Sequence, residues 1–228
     1  MKILGVKIDN LSLDEILHKI EVFLNDNKQH YITTSNPEFI VKAQKDKEFK
    51  DIINNADLNV PDGFGLVLAS LLLGKKIKQR ITGVDLMELI CKKASYNNWP
   101  VFLFGAGPGV AKKTADSLRE RYKNLEISEI DENKKDFPNK SILFVALGAP
   151  KQEKWINNNL KNMPNIKLAM GVGGSFDFIS GDIKRAPKFM RNLGLEWFWR
   201  LIIQPWRIRR ILNAVIIFPF LILKRKLK

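Results

Sequence analysis

The chain has 228 residues, 45% of them hydrophobic, and a formal net charge of +14. That length buries one good core with room for an appendage, and the single cysteine, Cys91, excludes an internal disulfide framework. The charge calls for an anionic partner, and its placement is uneven: from Lys184 to Lys228 there are 12 Lys/Arg against the lone acid Glu196, so the body is nearly neutral and the tail is basic.

The N-terminus reaches Asp9 and Asp14 without the long apolar segment of a signal peptide, which makes a cytoplasmic protein the expectation. Ser12-Leu13-Asp14-Glu15 is a capping box, and Leu13, Ile16, Leu17, Ile20 and Leu24 mark one face of the helix it starts. His18 falls on that helix as a surface residue. Tyr31 to Thr34 reads as a strand. Asn36-Pro37-Glu38 then supplies an N-cap, a proline at the first helical position and an acid in the first turn. Thr34, Ser35 and Asn36 thereby sit at the carboxyl end of a strand, the edge where open α/β sheets bind ligands.

Leu58 to Val60 is the next short strand. Pro61-Asp62-Gly63-Phe64-Gly65 opens from it into the apolar helix Leu66 to Leu73, so Asp62 faces a helix start; the same residues also make an ordinary turn. Arg80 to Gly83 leads to Asp85, the expected cap of a helix through Cys91 to Tyr96. Val101 to Phe104 is a strand, Gly105-Ala106-Gly107-Pro108-Gly109 a turn, and Val110 to Tyr122 a helix. Gly105 and Gly107 let the backbone approach a ligand, and the amides of the helix that follows suit a phosphate, although the spacing departs from Gly-x-Gly-x-x-Gly.

Glu126 to Ile130 is a further strand, with Asp131 at its end about 20 residues past the glycines, where an acid often binds a ribose. Ser141 to Leu147 is a buried strand running into Gly148-Ala149-Pro150-Lys151-Gln152-Glu153 and a helix carrying Trp155, Ile156 and Leu160. Lys167 to Met170 precedes Gly171-Val172-Gly173-Gly174-Ser175. Alternating strands and helices predict a Rossmann-like, doubly wound, mainly parallel α/β core over residues 1–192.

Residues 193–228 differ in kind. Leu193 to Leu223 holds Trp197, Trp199 and Trp206, four arginines, and the apolar run Ile211 to Leu223, and Lys224-Arg225-Lys226-Leu227-Lys228 follows. A run of 13 residues interrupted by Pro219 falls short of the roughly 20 that span a bilayer. A basic, apolar helical appendage lying at a membrane surface is expected, with a C-terminal core helix as its competitor. Charge set beside an apolar run favours a membrane over nucleic acid.

Neither His18 nor His30 has a partner at metal-ligand spacing, and paired cysteines, Asp-x-Asp and a Walker lysine are missing, so no protein-held metal and no cofactor are expected. What remains are carboxylates at strand ends, chiefly Asp62, with Thr34, Asn36, Arg80 and Gln152 as neighbours. That set suits a general base with phosphate and sugar binders.

Six blocks in order carry a resemblance: Thr34 to Phe39, Pro61 to Gly65, Arg80 to Leu86, Gly105 to Gly109, Leu147 to Glu153, and Gly171 to Asp177 continuing through Arg185-Ala186-Pro187 to Leu195-Glu196-Trp197. Together they resemble the bacterial WecG/TagA/CpsF glycosyltransferases over nearly the whole chain. The resemblance implies inverting, metal-independent transfer of N-acetylmannosamine from UDP-N-acetylmannosamine to undecaprenyl-diphosphate-linked N-acetylglucosamine, at the cytoplasmic membrane face, in wall teichoic acid or related surface polymer synthesis. Carried onto this sequence, Asp62 is the general base, Thr34 and Asn36 hold sugars beside it, and Arg80 and Gln152 line the same pocket. Arg200, Arg207 and Arg210 bring positive charge to the departing UDP. Three readings compete: a capsule or exopolysaccharide transferase using another UDP-sugar, a nicotinamide-dependent oxidoreductase suggested by the glycine turn and Asp131, and a non-catalytic membrane-attached binding module. Self-association through the apolar tail is a further expectation.

Overall fold

The computed structural model describes residues 1–226, so Leu227 and Lys228 of the basic end lie outside the described residues. Two short strands, β1 (Lys2–Ile3) and β2 (Val6–Lys7), pair as an antiparallel hairpin. The main sheet contains β3 (His30–Ser35), β4 (Leu58–Pro61), β5 (Val101–Gly105), β6 (Ile127–Ile130), β7 (Ser141–Ala146) and β8 (Ile166–Gly171). All of its pairings are parallel and its order is β4-β3-β8-β7-β5-β6.

The core helices are α1 (Leu13–Asn25), α2 (Pro37–Ala43), α3 (Lys47–Asn55), α4 (Phe64–Leu72), α5 (Gly83–Asn97), α6 (Val110–Arg121), α7 (Lys151–Asn159) and α8 (Ser175–Ile179). Strand alternation sorts them onto two faces. Val101, Leu103, Ile142, Phe144, Leu168 and Met170 pack with α1, α5, α6 and α8. Their neighbours Phe102, Phe104, Leu143, Val145 and Ala169 turn the other way, onto α3 and α7. The expected doubly wound core is therefore present.

Local chemistry sets the starts of several helices. Ser12 Oγ accepts from Glu15 N at 3.3 Å while Ser12 N donates to Glu15 Oε2 at 2.7 Å, completing the capping box. Asn36 Oδ1 caps α2 by accepting from Phe39 N at 3.0 Å. The cap of α5 is Thr82, not Asp85: Thr82 Oγ1 accepts from Asp85 N at 3.3 Å. Asp85 sits in the first turn instead, where Arg185 Nη1 and Nη2 donate to it at 2.6 and 2.9 Å. Burial opposes its charge, yet Arg185 and Thr82 hold the carboxyl below the usual carboxylate range.

Beyond β8 the chain forms α9 (Lys188–Asn192), α10 (Glu196–Ile203), a 3₁₀ turn at Pro205–Arg207, α11 (Ile208–Leu212), a π-helical turn at Asn213–Ile217 and α12 (Phe218–Lys226). The π-turn ends two residues before Pro219, whose missing N–H removes one α-helical hydrogen bond. Phe218 and Ile222, each 1% exposed, join Phe39, Ile40, Leu66 and Ala69 in a third cluster built on α2 and α4. Ile216, Phe220 and Leu223 of the same apolar run stay exposed. One stripe of the apolar run is thus seated on the core, as the competing core-helix reading expects, while the other stripe stays exposed. Among the described residues no helix is long and apolar enough to cross a membrane.

Candidate active site

The crossover after β5 leads outward to β6, whereas that after β7 leads to β8 on the other side. Loops leaving neighbouring strands in opposite directions open a crevice at the carboxyl edge. A cavity of about 640 Å³ lies there, roofed by the C-terminal helices. It brings together Thr34, Asn36, Asp62, Arg80, Gln152 and Gly107 from the core, and Arg200, Arg207 and Arg210 from beyond residue 193.

Strand register builds the acidic corner. Thr34 pairs with Val60 and Ser35 with Pro61, and Asp62 N donates to Ser35 O at 2.8 Å, so β3 and β4 end side by side. Gly63 follows at φ +93°, in the region that favours glycine, and a Cβ there would stand 3.1 Å from Pro37 Cδ and 3.6 Å from Asn36 Cβ. That close approach presses the Asp62 turn against the Asn36 cap. Gly83 N reaches Asp62 Oδ2 at 3.4 Å, and a Cβ on Gly83 would lie 3.3 Å from Thr34 Oγ1. Burial pushes the Asp62 carboxyl up to about 6, and Glu196 adds to the shift, while Gly83 N, Arg80 and Arg200 pull against it. A carboxyl with that value is largely ionised at neutral pH yet basic enough to accept a proton in a transition state.

The opposite corner is polar. Gln152 Oε1 accepts from Gly148 N and from Gly173 N, both at 3.0 Å, tying the loops after β7 and β8 together. Between the two corners, Gly174 approaches Asp177 and two arginines: a Cβ there would stand 3.3 Å from Asp177 Oδ2, 3.5 Å from Arg200 Nη1 and 3.7 Å from Arg207 Nη2.

The cations come from the arm. Arg200 stacks over Phe178, 4.3 Å from the ring centroid. Burial lowers its guanidinium below the ordinary value, against the pull of Glu196 and Asp62. Arg207 is brought down to about 10 by burial and then by repulsion from Arg200 and Arg210. Arg207 Nε is buried without a hydrogen-bond partner among the described residues. Arg210 Nε donates to both oxygens of Glu38, at 2.9 and 3.0 Å, and Lys42 Nζ pairs with Glu38 Oε1 at 2.8 Å. Burial alone would raise the Glu38 carboxyl; Arg210 and Lys42 hold it below the usual range. Three guanidiniums converging in a partly enclosed cavity repel one another, and an anion bound among them relieves the repulsion.

Two expected site residues lie elsewhere. Asp131 follows the edge strand β6, is exposed and lies outside the cavity; its Oδ1 accepts from Asn133 N at 2.8 Å and Lys134 N at 3.2 Å, closing its own turn. The cavity extends the other way, over β7, β8, β3 and β4, so the distance rule that suggested a ribose contact does not apply. Gly105 also misses the cavity wall. It sits at φ +92°, and a Cβ would come within 3.1 Å of Ala146 C and O, so this glycine serves strand packing. Arg80 lines the cavity as expected, and its Nη2 also donates to Arg191 O at 3.2 Å, binding the end of α9. Sequence reading missed the parts of Glu38, Asp177 and Glu196, each of which lines the cavity. All three stood inside the resembling blocks, where an acid next to a strand-end turn was a usable signal.

Fold and cavity together define a class: an α/β protein with a buried carboxyl and a cluster of guanidiniums over the carboxyl edge of a parallel sheet. Comparison with known proteins narrows it. The chain belongs to the WecG/TagA/CpsF family of glycosyl transferases, whose model matches residues 1–228. It is 35% identical over 209 residues to the N-acetylglucosaminyldiphosphoundecaprenol N-acetyl-beta-D-mannosaminyltransferase of Bacillus subtilis, covering 84% of this chain and 81% of that one. A protein of the same name from Staphylococcus aureus is 35% identical over 243 aligned positions, covering 99% of this chain and 93% of the relative. A third, from Bacillus spizizenii, is 33% identical, covering 90% and 84%. The protein is a glycosyltransferase.

Proposed function

We propose that this enzyme transfers N-acetylmannosamine from UDP-N-acetylmannosamine to undecaprenyl-diphosphate-linked N-acetylglucosamine, with inversion and without a metal ion. The observation that carries the reading is the convergence of Asp62 with Arg200, Arg207 and Arg210 in one cavity. Asp62 takes the proton of the acceptor hydroxyl; the hydroxyl oxygen attacks the anomeric carbon from the face opposite the leaving group. The bond to the diphosphate breaks, and its electron pair leaves on UDP. The arm's arginines receive that charge, the task a divalent cation performs in other transferases. Thr34 and Asn36 flank the base, where sugar hydroxyls pass, and Asn36 Nδ2 is free to donate because its Oδ1 is spent on the α2 cap.

The acceptor's lipid sets the location. Helix α4 leaves Leu68, Leu71 and Leu72 exposed, and its neighbour α12 leaves Phe220 and Leu223 exposed beside Lys224, Arg225 and Lys226. An apolar surface edged with cations suits peripheral attachment to an anionic membrane surface, the cytoplasmic face in this reading. The closing test is UDP release from UDP-N-acetylmannosamine, in EDTA, with and without a lipid-diphosphate-linked N-acetylglucosamine. Acceptor-dependent release is expected. Release from a different UDP-sugar only would keep the family and replace the donor, and loss of release in EDTA would overturn the metal-free chemistry.

A further inference from the structure

Glu153 is fully buried at the first turn of α7, and the chemistry above makes no use of it. Its Oε1 accepts from Gln152 Nε2 at 2.7 Å, and its Oε2 has no hydrogen-bond partner among the described residues. Burying a carboxyl with an orphaned oxygen is costly, and an apolar side chain of that size would fill the space without the cost. What an apolar side chain could not do is accept from Gln152.

The orientation of Gln152 is forced by its partners. Gly148 N and Gly173 N are backbone donors, so the atom facing both must be the amide oxygen, and both of its lone pairs are then used. The amide nitrogen keeps two hydrogens, of which Glu153 takes one. A single N–H therefore remains on a side chain that is buried yet lines the cavity wall. The backbone leaves room for the pair: a Cβ on Gly171 would fall 2.6 Å from Gln152 Nε2 and 2.8 Å from Glu153 Oε1, so only glycine fits under it. Burial pushes the Glu153 carboxyl up to about 7, and the neutral form keeps its carbonyl oxygen as an acceptor.

We infer that Glu153 is a positioning residue that locks Gln152 as a one-hydrogen donor, so that this corner of the cavity recognises a hydrogen-bond-accepting group of the sugar-nucleotide donor and rejects a hydroxyl that needs an acceptor. The inference rests on the UDP-sugar reading above. Its basis is the pairing of two backbone donors with one buried acceptor around a single amide.

The test is calorimetric binding of UDP-N-acetylmannosamine to the full chain and to Glu153→Leu, Gln152→Ala and the double variant, with melting curves alongside. Glu153→Leu is expected to weaken donor binding about tenfold and Gln152→Ala at least as much, with the double variant no weaker than Gln152→Ala alone. Glu153→Gln, whose amide oxygen still accepts, is expected to restore most of the affinity. If Glu153→Leu melts early, Glu153→Met, unbranched and apolar, takes its place in the cycle. Donor binding within twofold of the parent in a folded Glu153→Leu or Glu153→Met variant, or losses that multiply in the double variant, would overturn the inference. A parent protein that binds no UDP-sugar would instead overturn the donor reading on which it stands.

Discussion

The core and the arm contribute to one cavity by different physics. Asp62 is placed by strand pairing and backbone hydrogen bonds within the sheet: β3 and β4 end in register, and Gly63 lets the turn close against Asn36. The arm's arginines are placed by long-range contacts, such as that of Arg210 with Glu38 across 172 positions. A base on the sheet edge is as rigid as the sheet, whereas a cation on the arm is as well placed as the contacts that hold the arm. The two are not independent, because Glu196 and Arg200 of the arm also act on the Asp62 carboxyl, in opposite directions.

Four substitutions would break or sharpen that contrast. The largest effect is expected from Asp62→Asn, which keeps shape and removes the base: kcat should fall by about 10²- to 10⁴-fold, read as UDP release with both substrates saturating. Unchanged turnover would move the chemistry off the core and revive the binding-module reading. Arg207→Ala should lower kcat by about 10²-fold, with a smaller change in the KM of the donor, because its charge acts on the departing diphosphate. Glu38→Gln should cost less, about tenfold in kcat, and should cost nothing further in an Arg210→Ala background, since its effect passes through that arginine. Multiplying losses would show that Glu38 acts on substrate directly.

The smallest and most diagnostic effect concerns pH. Asp62 must be ionised to act, so kcat/KM should fall as pH drops through about 6, the value burial and Glu196 impose. Glu196 raises that value, so Glu196→Gln should move the acid limb to lower pH while the plateau changes little. A limb that stays put would mean that the arm does not tune the core's base.

Much of this was legible in the sequence, for local reasons. The capping box at Ser12, the Asn36-Pro37 helix start and the continuous apolar run at Val101 are encoded within a few residues, so the βα units could be read in order. Helix α3 went unread, although Asp46 before Phe49, Ile52 and Ile53 is a cap ahead of a helical stripe. The hairpin of β1 and β2 is too short to carry a period. Asp131 misled because a spacing rule cannot tell on which side of β5 the crevice opens; strand order decides that, and strand order is a long-range property. The arm was half legible for the same reason: its charge and apolar content were plain, but the buried stripe of Phe218 and Ile222 depends on partners from α2 and α4.

The uneven charge described at the outset has a consequence for motion. A nearly neutral body with eleven of its fourteen excess positive charges gathered from Lys184 onward is, electrically, a lever with the weight at one end. In the field of any anionic sheet it experiences torque as well as attraction, effective once it comes within a screening length of about 8 Å at physiological salt. A basic end of that kind turns toward an anionic surface first. Raising ionic strength would then slow productive encounters by scrambling orientation as well as by weakening attraction, a rate effect separable from affinity by comparing association and dissociation on anionic vesicles.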